Sequence, residues 1–204
     1  MYKKQYIFGD TAVYFVECPV EGHEGKTAVG LALYPKGWDV QTEKLRLDSM
    51  IQVAFTGDES LNDYTRGVTM NNHDSALVHI VSQEADDRGV VTHLSDGEGN
   101  DYVHTLLYDG KTGVFTAFVR YENNTGEERT LEYLASVSLN GIFALSGGGN
   151  NTCGLTLHRM VSAWSRECRL QSLPFSSIGM EHSWARYGVK AERWGQIGSM
   201  PNRG

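Results

Sequence analysis

The sequence has few cysteines, and none of them forms a recognisable pair. Cys18, Cys153 and Cys168 are an odd number without a C-x-x-C spacing, which argues against a disulfide framework and favours reduced thiols. The seven histidines are scattered and lack the H-E-x-x-H spacing of a zinc protease, so we interpret them as structural. The sequence therefore predicts no metal site and no cofactor.

Long apolar runs and an excess of positive charge are also missing. No stretch approaches the roughly 20 apolar residues that a membrane-spanning helix requires. The N-terminal stretch MYKKQYIFGDTAVYF has no uninterrupted apolar run and no small-residue cleavage site, so it is unlike a secretion signal. The formal net charge of −7 argues against a nucleic-acid partner, because a basic surface is needed to neutralise phosphates. We expect a cytoplasmic protein that binds neither membranes nor nucleic acid.

Motifs of common catalytic sites are absent as well. The chain has no G-x-S-x-G elbow, and the glycine-rich stretch LSGGGNNT lacks the G-K-[ST] ending of a phosphate-binding loop. Acidic side chains cluster in SQEADDRG and SDGEGND, and glycosidases use a pair of carboxylates. Both clusters have the composition of solvated turns, so we interpret them as surface loops. The sequence therefore predicts no catalytic residue.

Alternation of apolar and polar side chains is the dominant pattern. It is clearest in TAVGLALY (27–34), VFTAFVRY (114–121) and TLEYLASVSL (130–139), and period-two alternation is typical of half-buried strands. Turn-forming sequences rich in Asp, Asn and Gly separate such stretches at 95–101, 108–113 and 122–128. Convincing helical periodicity is missing. The sequence predicts an all-β fold, a large antiparallel β-sandwich with few or no helices, in which 101–139 forms a three-stranded meander.

The composition changes near the end of the chain. Residues 158–204 carry seven basic and three acidic side chains, whereas residues 1–157 carry 11 basic and 22 acidic ones. Tryptophan and arginine anchor buried contacts between proteins, although aromatic rings also stack on sugars. We favour an interface between domains or subunits, because a basic strip suits an acidic partner. The residues predicted to form it are Arg159, Trp164, Arg166, Arg169, Trp184 and Trp194.

The same segment carries a recognisable motif. The stretch from Leu157 to Gly204 resembles the end of the N-terminal domain of glycoside hydrolase family 36, the α-galactosidases, whose pattern is approximately R-x-x-S-A-W-S-x-E-G-R followed by G-Q-x-G-S-M-P. Cys168 stands where the pattern has Gly, which would strain a turn that needed positive φ there. The matching residues are Arg159, Ser162, Ala163, Trp164, Ser165, Glu167, Arg169, Gly195, Gln196, Gly198, Ser199, Met200 and Pro201.

The resemblance implies a β-supersandwich that precedes a catalytic (β/α)8 barrel. The barrel motifs of the family, such as K-W-D-x-N-R, do not occur in this sequence. We therefore expect residues 1–204 to be a single N-terminal β-sandwich domain cut from a longer chain and inactive alone. The implied partners are the catalytic barrel of the same chain and further copies in a homo-oligomer, with an α-galactoside as substrate of the full enzyme.

Two further expectations concern ligand binding. Members of the family place a loop of this domain beside the active site of a neighbouring subunit, and the polar segment around Asp63 and Arg66 is a candidate for that loop. The alternative function is a free-standing carbohydrate-binding β-sandwich that uses Trp164, Trp184 or Trp194 as stacking platforms.

Overall fold

The computed structural model describes residues 3–19, 26–40, 49–57, 77–139, 141, 145, 156–163 and 166–174. The chain forms two compact units. Unit 1 consists of Met1–Leu61 with Met70–Gly141, and unit 2 consists of Asn62–Thr69 with Ile142–Gly204. The described residues contain strands and turns but no α-helix, which confirms the predicted all-β fold.

Nine of the described strands belong to unit 1 and pair into three antiparallel sheets, with strand orders β1-β2-β3, β4-β9 and β5-β6-β7-β8. Two further strands, β10 and β11, pair into an antiparallel hairpin in unit 2. The strands are β1 (Lys3–Phe8), β2 (Thr11–Pro19), β3 (Thr27–Pro35), β4 (Val53–Phe55), β5 (His79–Asp86), β6 (Gly89–Ser95), β7 (Asn100–Asp109), β8 (Val114–Asn123), β9 (Leu131–Leu134), β10 (Thr156–Ala163) and β11 (Arg166–Pro174).

The three sheets of unit 1 share one apolar core, which makes the unit a sandwich. Phe15 of β2, Leu31 of β3 and Leu106 of β7 are among its buried side chains. Burial of each such side chain stabilises the fold by about 1.5–3 kcal/mol. The alternation in VFTAFVRY behaves as predicted, since the four apolar side chains of its inward face pack against this core: Phe115, Ala117, Val119 and Tyr121.

Strand β3 is buried on both faces, although its sequence predicted a half-buried strand. Val29 and Leu31 face the shared core. On the opposite face Ala32 and Tyr34 are also buried, and the Tyr34 hydroxyl donates a 2.8 Å hydrogen bond to the Gly141 carbonyl. Burial raises the pKa of this hydroxyl.

The third strand of the predicted meander pairs elsewhere. Strands β7 and β8 form the expected hairpin, but β9 pairs with β4 instead of β8. The stretch 130–139 also contains only four strand residues, and its later apolar side chains Val137 and Leu139 are 38% and 48% exposed. The prediction was wrong here because β4 offers β9 a partner whose Val53 and Phe55 lie in the core. The meander that does form is β5-β6-β7-β8.

The segment RMVSAWSRECRL contributes to the hairpin of unit 2. Its backbone pairs Val161 with Arg169 and Ala163 with Arg166, with an irregularity between Val161 and Ala163. Cys168 lies within strand β11. Its position is therefore in a strand, and the residue that departs from the family pattern does not have to form a turn.

Candidate functional site at two neighbouring hairpin turns

A groove of about 910 Å³ lies at one end of the four-stranded sheet of unit 1. Because β5-β6-β7-β8 is an antiparallel meander, its alternate turns share an end, so the β5-β6 and β7-β8 turns lie at the same end of the sheet. The side chains that line the groove include Glu84, Asp86, Arg88, Leu107, Asp109 and Lys111. The groove thus combines charges of both signs with an apolar wall.

The first turn is shaped by Asp86 and Gly89. The Asp86 carboxylate accepts a 2.8 Å hydrogen bond from the Arg88 backbone N–H and forms a 3.3 Å ion pair with its guanidinium. Gly89 has a φ of +153°. A Cβ at this position would collide with the Leu106 carbonyl oxygen. Glycine therefore allows β6 to approach β7 closely at the base of the groove.

The second turn is closed by Asp109. One carboxylate oxygen accepts a 2.9 Å hydrogen bond from the Lys111 N–H, and the other accepts a 2.7 Å bond from the Thr112 hydroxyl. Gly113 completes the turn with a φ of +71°. These bonds form an Asx-type turn. The hairpin turn that the sequence predicted at 108–113 is present, and its positive φ lies at Gly113 rather than at Gly110.

Tyr108 connects the two turns to the core. Its N–H donates a 2.7 Å hydrogen bond to the Arg88 carbonyl, which joins one turn to the other. Its ring lies 5.7 Å from the ring of Phe8 and 4.9 Å from that of Phe115. The base of the groove is therefore held by aromatic packing as well as by backbone hydrogen bonds.

The carboxylates of Asp86 and Asp109 accept hydrogen bonds within their turns, and those bonds lower both pKa values. The Arg88 backbone N–H, followed by its side chain, lowers the pKa of Asp86. The Thr112 hydroxyl and the Lys111 N–H lower the pKa of Asp109. A general acid needs the opposite shift, because it must keep its proton near neutral pH. The lowered pKa values therefore argue against Asp86 and Asp109 as general acids, and their carboxylates offer hydrogen-bond acceptors to a polar ligand in the groove.

A second polar cluster lies at the other end of the same sheet and is internally satisfied. The buried Asn100 donates to Asp96 at 2.6 Å and accepts from the Tyr121 hydroxyl at 2.9 Å and from Arg129 at 3.1 Å. The Arg129 guanidinium also lies 4.6 Å from the centre of the Phe55 ring. This cluster fixes the start of β7, and we assign it a structural role.

The structure describes none of the predicted site side chains. Asp63, Arg66, Trp164, Trp184 and Trp194 lie outside the described residues. The backbones of Arg159, Arg166 and Arg169 lie in the β10-β11 hairpin, but their side chains are outside the described part. Their predicted role in an interface therefore stays a prediction.

Sequence reasoning missed the groove because it depends on strand pairing. Glu84 and Asp86 were interpreted as part of a loop, whereas Glu84 lies within β5 and only the residues after Asp86 turn. Asp109 was recognised as a turn residue, but nothing local indicated that the two turns are neighbours. The sequence did contain one indication: an Asp-containing turn follows β5 and another follows β7, and alternate turns of a meander lie at the same end of the sheet.

The part of the chain that the structure describes contains neither a metal-binding cluster nor a membrane-spanning helix. Among the described residues, no group of three or more His, Cys, Asp or Glu side chains is arranged to hold a metal ion. The same residues include no helix with the length and apolar character needed to cross a membrane. Comparison of the chain with protein families, with curated proteins and with solved structures found no match.

Proposed function

We propose that this chain is the non-catalytic N-terminal domain of an α-galactosidase-like retaining glycoside hydrolase. The observation that carries the proposal is the ordered motif between Arg159 and Pro201, which resembles the end of that domain in glycoside hydrolase family 36. The antiparallel sandwich of unit 1 supports it, because a β-supersandwich is the fold that the resemblance implies.

The proposed role of the domain is to pack against the catalytic barrel, to take part in a homo-oligomer and to shape the rim of the active site. Support comes from the charge difference between the two parts of the chain, with seven basic and three acidic side chains in residues 158–204. Arginine and tryptophan in this part have the chemistry of anchors at a buried interface. We also propose a cytoplasmic location, because three cysteines without a C-x-x-C spacing suit a reducing compartment.

The hydrolytic chemistry is assigned to the barrel of the longer protein. A retaining glycosidase uses two carboxyl groups about 5–5.5 Å apart, one as nucleophile and one as acid and base. The lowered pKa values of Asp86 and Asp109 make these groove residues poor candidates for the acid. The proposed contribution of this chain is therefore domain packing, oligomerisation and part of the active-site rim.

The experiment that tests the proposal starts from the gene. We expect the reading frame to continue beyond Gly204 into a barrel with a K-W-D-type motif. We expect the longer product to hydrolyse nitrophenyl α-galactoside, and residues 1–204 alone to be inactive. A longer product that is folded but cleaves β-galactosides or no glycoside at all would contradict the proposal, as would a stop codon directly after Gly204.

One observation favours a second function, a free-standing carbohydrate-binding module. Trp38 follows β3 and is 42% exposed, and an exposed indole ring is a surface on which a sugar can stack. The groove carboxylates add acceptors for sugar hydroxyl groups. This function predicts that the chain binds sugars by itself and that binding depends on these residues.

A further inference from the structure

Among the described strands, β8 has a neighbour on one side only and forms an edge of the four-stranded sheet. It pairs with β7 in one unbroken register from Asn100↔Asn123 to Asp109↔Val114. The Asn124 N–H donates to the Gly99 carbonyl on the β7 side, so the even-numbered residues of β8 direct their backbone groups towards β7. The odd-numbered residues direct theirs away from the sheet, and in the described part of the chain these groups have no hydrogen-bond partner.

Strand β5 forms the opposite edge of the sheet, and it has features that discourage pairing with another chain. Strand β5 contains a bulge between Ile80 and Ser82, and it carries the acidic residues Glu84 and Asp86. Bulges and charges are the usual means by which an edge strand avoids pairing with another chain. Strand β8 has no bulge in its pairing with β7. Its two charged residues, Arg120 and Glu122, have opposite signs and give the strand no net charge that would repel another copy.

The outward face of β8 has an apolar residue at its centre and another at its start. Phe118 in the middle of the strand is 46% exposed, and Val114 at its first position is 55% exposed. Further along the strand Arg120 and Glu122 form a 2.6 Å ion pair. A ten-residue strand with an unpaired backbone edge and exposed apolar side chains is suited to bind another extended strand.

We propose that β8 pairs with β8 of a second copy of this chain, antiparallel and about a two-fold axis at Phe118. The two four-stranded sheets would then form one continuous sheet across the dimer. Each outward-directed N–H and C=O between Phe115 and Tyr121 would gain a partner. The inference does not depend on the proposed function.

The side chains on the outward face of β8 favour pairing with a second copy of the strand, in the register centred on Phe118. With the axis at Phe118, the two Phe118 rings lie opposite each other, and Thr116 lies opposite Arg120 of the partner subunit. Aromatic cross-strand pairs stabilise sheets, and a guanidinium one step along the strand can contact the ring. An axis at Arg120 would instead oppose two guanidinium groups, which is unfavourable. The register centred on Phe118 therefore pairs the two aromatic rings and keeps the two Arg120 side chains apart, and it places Val114 opposite Glu122 of the partner subunit.

Sedimentation velocity on the chain and on Phe118 variants tests the proposal. We expect the chain to be a dimer, and F118E and F118K each to be monomeric because like charges meet at the axis. An equimolar mixture of F118E and F118K should restore the dimer, since opposite charges then meet. The control is V81E, which adds a charge at a 63% exposed valine on the protected edge and should leave the dimer intact.

Hydrogen exchange of the unchanged chain supplies a readout that does not depend on how the variants fold. The amides of Phe115, Ala117, Val119 and Tyr121 should become protected as the protein concentration rises. Four results would overturn the proposal. They are a chain that is monomeric at about 100 µM, a dimer that F118E leaves intact, folded variants that do not associate when mixed, and exchange of these amides that is independent of concentration.

Discussion

At the scale of single residues, His104 is the most unusual side chain in the core. It lies on β7 between Thr92 of β6 and Val119 of β8 in the register of the sheet. Its side chain is fully buried, and neither ring nitrogen has a hydrogen-bond partner among the residues that the structure describes. Desolvation lowers its pKa from 6.5 to about 4. The ring is therefore neutral in the folded protein at neutral pH, and its protonation opposes folding.

This burial predicts a loss of stability in mild acid. Since the pKa is 6.5 in the unfolded chain and about 4 in the folded one, the unfolded state binds more protons between these values. The free energy of unfolding should therefore fall by about 2 kcal/mol between pH 7 and pH 5 on account of this one group. The pKa values of Asp86, Asp101 and Asp109 are lowered from 3.8 in the folded protein. Their contribution to stability is therefore lost only at more acidic pH, as these carboxylates become protonated.

Urea unfolding of the chain and of H104L at both pH values measures the effect. The difference between pH 7 and pH 5 is the readout, because a change in packing affects both values equally. We expect that difference to be smaller in H104L by about 2 kcal/mol. An equal difference in the two proteins would show that His104 is not the titrating group.

At the scale of elements, the fold depends on hairpins whose turns need glycine for different reasons. Gly89 and Gly113 both have positive φ, at +153° and +71°. A Cβ at Gly89 would meet the Leu106 carbonyl and lie 3.0 Å from the Leu107 Cα, whereas nothing lies within 4 Å of a Cβ at Gly113. Backbone strain is common to the two positions, but a collision with the neighbouring strand occurs at only one.

The two positions therefore form a matched pair for mutation. We expect G113A to destabilise the protein by about 1 kcal/mol, from positive φ alone. We expect G89A to cost on the order of 3 kcal/mol, because β6 must also move away from β7. Urea unfolding of the two variants at neutral pH checks the prediction. Equal losses would mean that β6 and β7 do not approach as closely at Gly89 as described.

The elements also show which predictions local sequence can support. Alternation placed Phe115 and Val119 on the buried face of β8, and Asp-Gly dipeptides marked the turns, because both signals arise within a few residues. The pairing of β9 with β4, and the second buried face of β3 beside Gly141, are set by segments distant in sequence. The groove was missed for the same reason, since it needs two turns that only the sheet register brings together.

At the scale of the whole molecule, the chain carries an acidic part, residues 1–157, and a basic, tryptophan-rich part, residues 158–204. Unit 1 holds the described core and the groove, and the hairpin of unit 2 holds the backbones of Arg159, Arg166 and Arg169. Asp86 and Asp109 are hydrogen-bonded within their own turns. This arrangement is consistent with the proposed role as a non-catalytic domain.

Calorimetric titration of the chain with galactose and with raffinose is the measurement that tests the central claim most directly. A packing domain should show no saturable binding up to sugar concentrations on the order of millimolar. Dissociation constants of that order or tighter, lost when Trp38, Trp164, Trp184 or Trp194 is replaced by alanine, would contradict the claim. The chain would then be a carbohydrate-binding module in its own right.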